Sequence, residues 1–247
     1  MNRRESLSEE FDLLYNNISS NKAPGLSELQ KSEFLTQALH LVVKDGYSGA
    51  SGPFEATEEV TEYLQGLVRQ TDYIPLTENV NIPVSENEPK VMSLKQTDSL
   101  FGGVYKEYKT DSLPEGFWFI VFEKAMIGGG ETCAGLKNAL VSATTHNELY
   151  KKLQNPFRNP DERTVLRTML NGTIELFSIK PLSVYSVRYL TDPGKIHLCY
   201  FNETGEEEAP EDWSFDSQTT DALDIIPESL LQVILYKAVE LAKATWQ

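Results

Sequence analysis

The sequence predicts an α+β protein in which N- and C-terminal helices form a helical bundle with an inserted antiparallel β-sheet region. Apolar residues recur at helical spacing within 6–69 and again within 227–247. Between them, residues 73–201 are rich in aromatic and β-branched side chains interrupted by Gly and Pro. The predicted segments are an N-terminal helical segment 1–72, a β-rich insertion 73–201, an acidic loop 202–226, and a C-terminal helix 227–247 packing on the N-terminal helices.

The N-terminal segment predicts three helices. Ser6 and Glu9 have the spacing of a capping box, and apolar residues follow at positions i, i+3, i+4 and i+7. A turn at Pro24 separates this helix from a second one, in which Ser27 and Gln30 repeat the capping spacing. The third helix carries Val60, Tyr63, Leu64 and Leu67. Because a short turn joins the first two helices, they are expected to lie antiparallel.

The middle of the chain predicts strands. Asn171-Gly172 lies between two such segments and is a strong hairpin signal. A short helix from Thr145 to Asn155 interrupts the sheet. The predicted strands are Val91–Phe101, Phe117–Met126, Leu136–Ala143, Thr164–Leu170, Thr173–Ile179, and a pair formed by Leu182–Leu190 and Ile196–Phe201.

The C-terminal segment predicts a helix that begins at Pro227, since proline is favoured at the first helical position. Glu228 adds a favourable charge to the first turn. The broad apolar face comprises Leu230, Leu231, Ile234, Leu235, Ala238, Leu241 and Ala242. This face is expected to pack on the N-terminal helices.

Composition excludes several classes of function. The chain has 247 residues, 40% of them hydrophobic, and a net charge of −15, which opposes general binding to nucleic acid or anionic lipid. No apolar run approaches the ~18 residues of a membrane span, and the first residues lack the apolar core of a signal peptide. Cys133 and Cys199 form no disulfide framework, which favours a reducing compartment.

No motif predicts a catalytic, cofactor or metal site. His40, His146 and His197 have no partner at metal-ligand spacing. Glu131 follows the glycines at 128–130, where a phosphate-binding loop requires lysine, so this segment is a strand connection or a loop that orders against a partner. We expect a protein that is not an enzyme and needs no cofactor.

Two segments leave alternatives open. Residues 201–230 contain ten acidic residues and no Lys or Arg, so they form either an exposed loop or the acidic lining of a channel that lets DNA pass. The candidate lining residues are Glu206, Glu207, Glu208, Glu211 and Asp212. The segment NPFRNPDER, which contains Arg158 and Arg163, is either a rigid connection or a recognition loop.

Several segments together resemble a known family. They are EFDLLYNNISSNKAPGLSELQKSEFLTQAL at the N-terminus, THNELYKKLQNPFRNPDERTVLR and VRYLTDPGKIHL in the middle, and PESLLQVILYKAVELAKATW at the end. They resemble the tail-adaptor proteins of short-tailed phages, in particular the virion ring proteins of crAss-like phages. The matching segments cover about half of the chain and keep their order along it.

The resemblance implies a non-enzymatic structural ring protein of the phage neck or tail, made in the cytoplasm of the bacterial host and located in the virion. Such a head-tail connector links the portal to the tail and forms part of the channel used in DNA ejection. It implies about twelve copies in a homo-oligomeric ring that contacts the portal and neighbouring ring proteins, with tail fibre or hub proteins as further candidates. No membrane or cofactor is implied, and DNA is only the passing genome.

Two other functions remain as alternatives. A virion-associated fibre-docking or receptor-facing binding module would use the β-rich region, and its copy number would be unrelated to twelve. A soluble enzyme would have to use His146 with Glu148, or the loop from Gly128 to Glu131. Particle stoichiometry distinguishes the first of these from a ring.

Overall fold

The computed structural model describes residues 3–16, 25–48, 62, 64–75, 90–97, 105–128, 136–198, 200–201, 207–208 and 222–245. The chain divides into a helical unit, residues 1–67 with 192–247, and a barrel unit, residues 68–191. In chain order the elements are α1 (Arg3–Asn16), α2 (Glu28–Ser48), β1 (Val68–Pro75), β2 (Lys90–Thr97), β3 (Lys106–Thr110), β4 (Phe117–Ile127), β5 (Lys137–Ala143), α3 (His146–Gln154), β6 (Thr164–Leu170), β7 (Thr173–Ser178), β8 (Leu182–Thr191), β9 (Tyr200–Phe201), β10 (Glu207–Glu208), α4 (Ala222–Ile225) and α5 (Glu228–Ala244).

The barrel unit is a closed barrel of eight strands in the order β1-β2-β3-β7-β6-β5-β4-β8, with β8 pairing back to β1. The β1–β2 and β5–β6 pairs are parallel, and the other pairs are antiparallel. Parallel neighbours need a crossover connection, and α3 lies in the connection from β5 to β6. Because the barrel is closed, none of its described strands is an edge strand.

The predicted fold class is therefore wrong. The sequence predicted an antiparallel sheet inserted into a helical bundle, whereas the strands close into a mixed barrel. Residues 68–72, assigned to the N-terminal helical segment, belong to β1, which pairs with β8 more than a hundred residues later. Local periodicity identifies strands but carries no information on such distant pairing, and so closure was missed.

The predicted hairpin is confirmed. Asn171 and Gly172 join β6 to β7, with φ values of 48° and 72°. Both residues thus adopt the left-handed conformation that a two-residue hairpin turn requires. By contrast, β8 pairs with β1 and β4 instead of with residues 196–201.

The barrel core is formed by inward-facing side chains, several of them tyrosines. The rings of Tyr73 and Tyr185 lie 5.9 Å apart and are fully buried. The Tyr73 hydroxyl donates to the Ser112 carbonyl at 3.0 Å, and the Tyr108 hydroxyl accepts from the Leu182 amide at 3.1 Å. Buried tyrosine hydroxyls thus find backbone partners and hold the strand ends of the barrel in place.

In the helical unit, α5 packs on both α1 and α2. Buried side chains include Phe11 on α1, Leu35 and Leu39 on α2, and Leu231 and Ile234 on α5. The segment at 196–198 lies against α2 and is hydrogen-bonded to it, because the amides of residues 196 and 198 donate to hydroxyls of Thr36 and Ser32. These hydrogen bonds satisfy backbone groups that have no strand partner.

The predicted helix caps have different outcomes. The amide of Gln30 donates to Ser27 Oγ at 3.3 Å and the amide of Ser27 to Gln30 Oε1 at 3.0 Å, which confirms the capping box of α2. Ser6 is not a cap, because α1 already begins at Arg3. Of the third predicted helix, residues 60, 61 and 63 lie outside the described residues.

A buried lysine joins α1 to α2. Lys31 Nζ donates to Asp12 Oδ2 at 2.6 Å, to Glu28 Oε1 at 2.9 Å and to Ser8 Oγ at 3.0 Å. Burial by itself would lower the pKa of Lys31, but the hydrogen bonds to Asp12 and Glu28 and their charges outweigh it, so that the pKa is raised. The lysine therefore stays charged and connects α1 to α2.

Candidate assembly surfaces

The net charge of the protein belongs to one unit alone. The helical unit has 8 basic and 23 acidic residues, whereas the barrel unit has 14 of each. The net charge of −15 therefore comes from the helical unit, and the barrel unit is neutral. The acidic stretch at 201–230 supplies ten of these acidic residues. The helical unit therefore repels negatively charged partners, whereas the barrel unit has no net charge.

The predicted channel-lining residues are only partly described. Glu207 and Glu208 form β10 and lie opposite Phe201 and Tyr200 of β9 in an antiparallel pair. Glu206, Glu211 and Asp212 lie outside the described residues. The acidic stretch thus begins in a short strand pair, and its role as a channel lining stays a prediction.

A turn after α3 presents an aromatic side chain to solvent. Asn155 precedes Pro156 and has extended backbone angles, φ −91° and ψ 114°, because proline disfavours the helical conformation in the residue before it. The Asn155 side chain accepts from the Phe157 amide at 2.9 Å, and its carbonyl accepts from the amides of Arg158 and Asn159. This turn leaves the Phe157 side chain 95% exposed.

The aromatic turn is anchored to the barrel wall. The Tyr105 hydroxyl donates to the Leu153 carbonyl at 2.7 Å and accepts from the Asn159 side chain at 3.4 Å. Beneath it, Tyr105, Leu149, Leu153, Leu166 and Phe177 form a buried cluster. Sequence reasoning singled out the arginines of this segment and missed Phe157, although a phenylalanine between two prolines was the available signal.

A charged cluster lies inside the barrel. Arg167 Nε lies 2.9 Å from Glu123 Oε1, and both side chains are less than 15% exposed. The Tyr185 hydroxyl donates to the same carboxyl at 2.6 Å. Burial raises the pKa of Glu123, against the opposing effects of the Tyr185 hydrogen bond and the Arg167 charge. A carboxyl of raised pKa can mark a catalytic site, but these contacts instead tie β4 to β6 and β8.

His146 and His40 contact different groups. His146 Nε2 lies 2.8 Å from the Met169 carbonyl, and Glu148 pairs with Lys152 and not with His146. His40 lies 3.5 Å from Asp192. Among the described residues, no group of three His, Cys, Asp or Glu side chains is arranged to hold a metal ion. Cys133, Cys199 and Glu131 lie outside the described part of the chain.

Within the described ranges, no helix is both long enough and apolar enough to cross a bilayer.

Exposed aromatic side chains and charged surfaces are features that interfaces between macromolecules use. The family model described as phage tail ring protein 3/4 matches residues 1–247. Ring protein 3 of Bacteroides phage crAss001 is 28% identical over 244 residues, covering 96% of this chain and 94% of the relative. Ring protein 4/5 of the same phage is 28% identical over 255 residues, covering 97% and 92%.

The chain therefore belongs to the phage tail ring protein 3/4 family. The predicted resemblance to ring proteins of crAss-like phages is confirmed. Membership assigns the chain a structural role in the virion tail, and that role is not enzymatic.

Proposed function

We propose that copies of this chain form a closed ring in the tail, below the portal, and that the acidic helical unit lines the path of the DNA. The observation that carries the channel proposal is the charge partition, in which the helical unit holds the whole net charge of −15. Twelve copies would match the symmetry of a portal, as the resemblance to tail adaptors implies. The neutral barrel unit is then available for contacts with neighbouring protein.

An acidic channel wall lowers the friction between the channel and the genome. Duplex DNA carries about one negative charge per 1.7 Å, so basic side chains along its path would bind phosphates and release counterions. Acidic side chains repel the duplex and keep it away from the wall over roughly one Debye length, about 8 Å at physiological salt. A wall with 23 acidic and 8 basic residues per copy therefore favours passage over binding.

Rings of the same family are the proposed neighbours. Ring protein 3 and Ring protein 4/5 of one phage both match this chain over more than nine tenths of its length. Because one phage encodes two relatives named as different rings, we propose that the ring of this chain stacks on a ring of related architecture. Contact with the portal is part of the same proposal.

Charge reversal in the acidic stretch tests the channel role. Phages carrying Glu207→Lys with Glu208→Lys are expected to incorporate the ring normally and to eject DNA more slowly, because each copy then places two cations near the phosphates. The slowing should grow as the salt concentration falls. Ejection is measured by dye fluorescence of released DNA, and incorporation by quantitative mass spectrometry of purified virions.

The matched control is Glu115→Lys with Asp111→Lys, which makes the same change in charge at exposed positions of the barrel unit that lie outside α3 and the turn at 155–160. This variant should eject at the rate of the unmodified phage. Equal ejection rates for all three phages, with the ring present in each, would mean that the acidic stretch does not face DNA.

A further inference from the structure

We infer that the turn carrying Phe157 inserts into an acidic apolar groove on α1 of the next copy in the ring. The inference rests on the proposed function, in which copies of this chain close into a ring. A ring interface joins two different surfaces of the same chain, so each copy must carry both halves of the contact. The two halves are the aromatic turn, residues 155–160 of the barrel unit, and the α1 groove, lined by Glu9, Asp12, Leu13, Leu14 and Asn16.

The aromatic turn has the properties of an inserted anchor. Phe157 is almost fully exposed, so its apolar surface stays in water unless a partner covers it. Its turn is fixed by backbone hydrogen bonds to Asn155, so little conformational freedom is lost when it binds. Aromatic and arginine side chains are frequent anchors of interfaces, and Arg158 follows directly in the chain.

The charge around this anchor is positive. Lys151 and Arg158 are exposed, and no described carboxylate forms an ion pair with either of them. The neighbouring acids are engaged locally. Glu148 pairs with Lys152, and Glu162 pairs with Lys137 and Lys180. Asp161 accepts from the Arg163 amide at 2.7 Å. The anchor therefore combines an apolar ring with unneutralised cations.

The α1 groove has the complementary character. It has a volume of about 780 Å³ and is open to solvent, and Leu13, which lines it, is 69% exposed. Glu9 lies one helical turn before Leu13, so an acidic and an apolar side chain share one face of α1. No described cation pairs with Glu9, whereas Asp12 is already bound to Lys31. Leu13 and Leu14 can thus receive the phenyl ring while Glu9 receives Arg158.

A second cavity in the helical unit fits less well. It encloses about 370 Å³ and is lined by residues that include Leu29, Glu33 and Lys195. Lys195 would repel Arg158, whereas the described lining of the α1 groove contains no base. Two lysines contact residues of the α1 groove, and both are engaged: Lys31 with Asp12 and Glu28, and Lys243 with the Leu14 carbonyl. Charge complementarity therefore favours the α1 groove as the binding surface.

Photo-cross-linking in assembled virions tests the contact. The photoreactive residue p-benzoylphenylalanine replaces Phe157, since it keeps the aromatic bulk, and purified virions are irradiated. We expect a ladder of covalent oligomers of this chain, in which mass spectrometry maps the new bond to residues 9–16. The control carries the same residue at Phe122, an exposed aromatic on β4 of the barrel unit, and should yield no bond to residues 9–16.

Charge exchange gives an independent test that leaves Phe157 in place. Arg158→Glu and Glu9→Arg should each lower incorporation of the chain into tails at least tenfold, and the double variant should restore it. A bond from position 157 to another tail protein, or to residues 29–37, would overturn the inference, and so would assembled tails without any cross-link. Absence of the chain from tails would instead refute the ring itself.

Discussion

Arg167→Met is expected to lower the free energy of unfolding by about 3–5 kcal/mol at pH 7, because it leaves a buried carboxylate without its cation. Arg167 and Glu123 are 2.9 Å apart and nearly buried inside the barrel. The Tyr185 hydroxyl remains as a donor to Glu123, but a neutral hydrogen bond cannot replace the lost charge. Denaturant unfolding followed by near-ultraviolet circular dichroism measures the change.

The effect should depend on pH with a definite sign. The pKa of Glu123 is raised in the folded protein, so protonation of this group favours folding and its contribution to stability declines as pH rises through that pKa. Removing Arg167 takes away a charge that opposes the rise, so the pKa of Glu123 should increase further. The destabilisation by Arg167→Met should therefore shrink from pH 7 towards pH 4, where the carboxyl is neutral.

Lys109→Met provides the matched control. Lys109 pairs with Glu175 at 3.8 Å and its side chain is 40% exposed, so its loss should cost about 0–1 kcal/mol without marked pH dependence. Equal losses for the two variants, or a loss for Arg167→Met that does not change with pH, would show that the interior pair is not a buried charge.

Phe11→Ala is expected to lower the free energy of unfolding by about 3–5 kcal/mol, since it creates a cavity at a fully buried site of α1. The ring of Phe11 lies 6.3 Å from that of Tyr15, and α1 packs on α5. The same denaturant experiment measures the loss. A change below about 1 kcal/mol would contradict the packing of α1 in the helical unit.

Leu13→Ala on the same helix is the control, and it separates folding from assembly. Leu13 is exposed, so the substitution should alter the free energy of unfolding by less than about 0.5 kcal/mol. The α1 groove would nevertheless lose its main apolar side chain. The folded variant should therefore incorporate poorly into tails, whereas Phe11→Ala should fail at folding.

Elements with strong local signals were predictable from the sequence. Asn171-Gly172 favours a left-handed two-residue turn, because asparagine tolerates positive φ and glycine has no Cβ to oppose it. Pro156 ends α3 by steric conflict with the preceding residue. Ser27 and Gln30 form a cap through contacts only three residues apart. In each case the decisive interaction lies within a few residues, so the sequence pattern contains it.

Features that depend on distant residues were not predictable. β1 is a strand because Val68–Tyr73 pairs with Tyr185–Leu190, and no local pattern records that partner. Glu123 and Arg167 pair across two strands although they lie 44 positions apart in the sequence. Their neighbours in the sequence do not distinguish them from charged residues at the surface. Exposure of Phe157 depends on the anchoring by Tyr105, so the aromatic turn emerges only from the folded barrel unit.

We propose that this chain forms a closed tail ring whose acidic helical unit faces the DNA. Cryo-electron microscopy of purified virions tests it most directly, because it locates each unit relative to the tail axis. We expect a ring of twelve copies between portal and tail, with the helical unit nearer to the DNA than the barrel unit. A ring in which the barrel unit lines the channel, or copies attached only at the tail periphery, would contradict it.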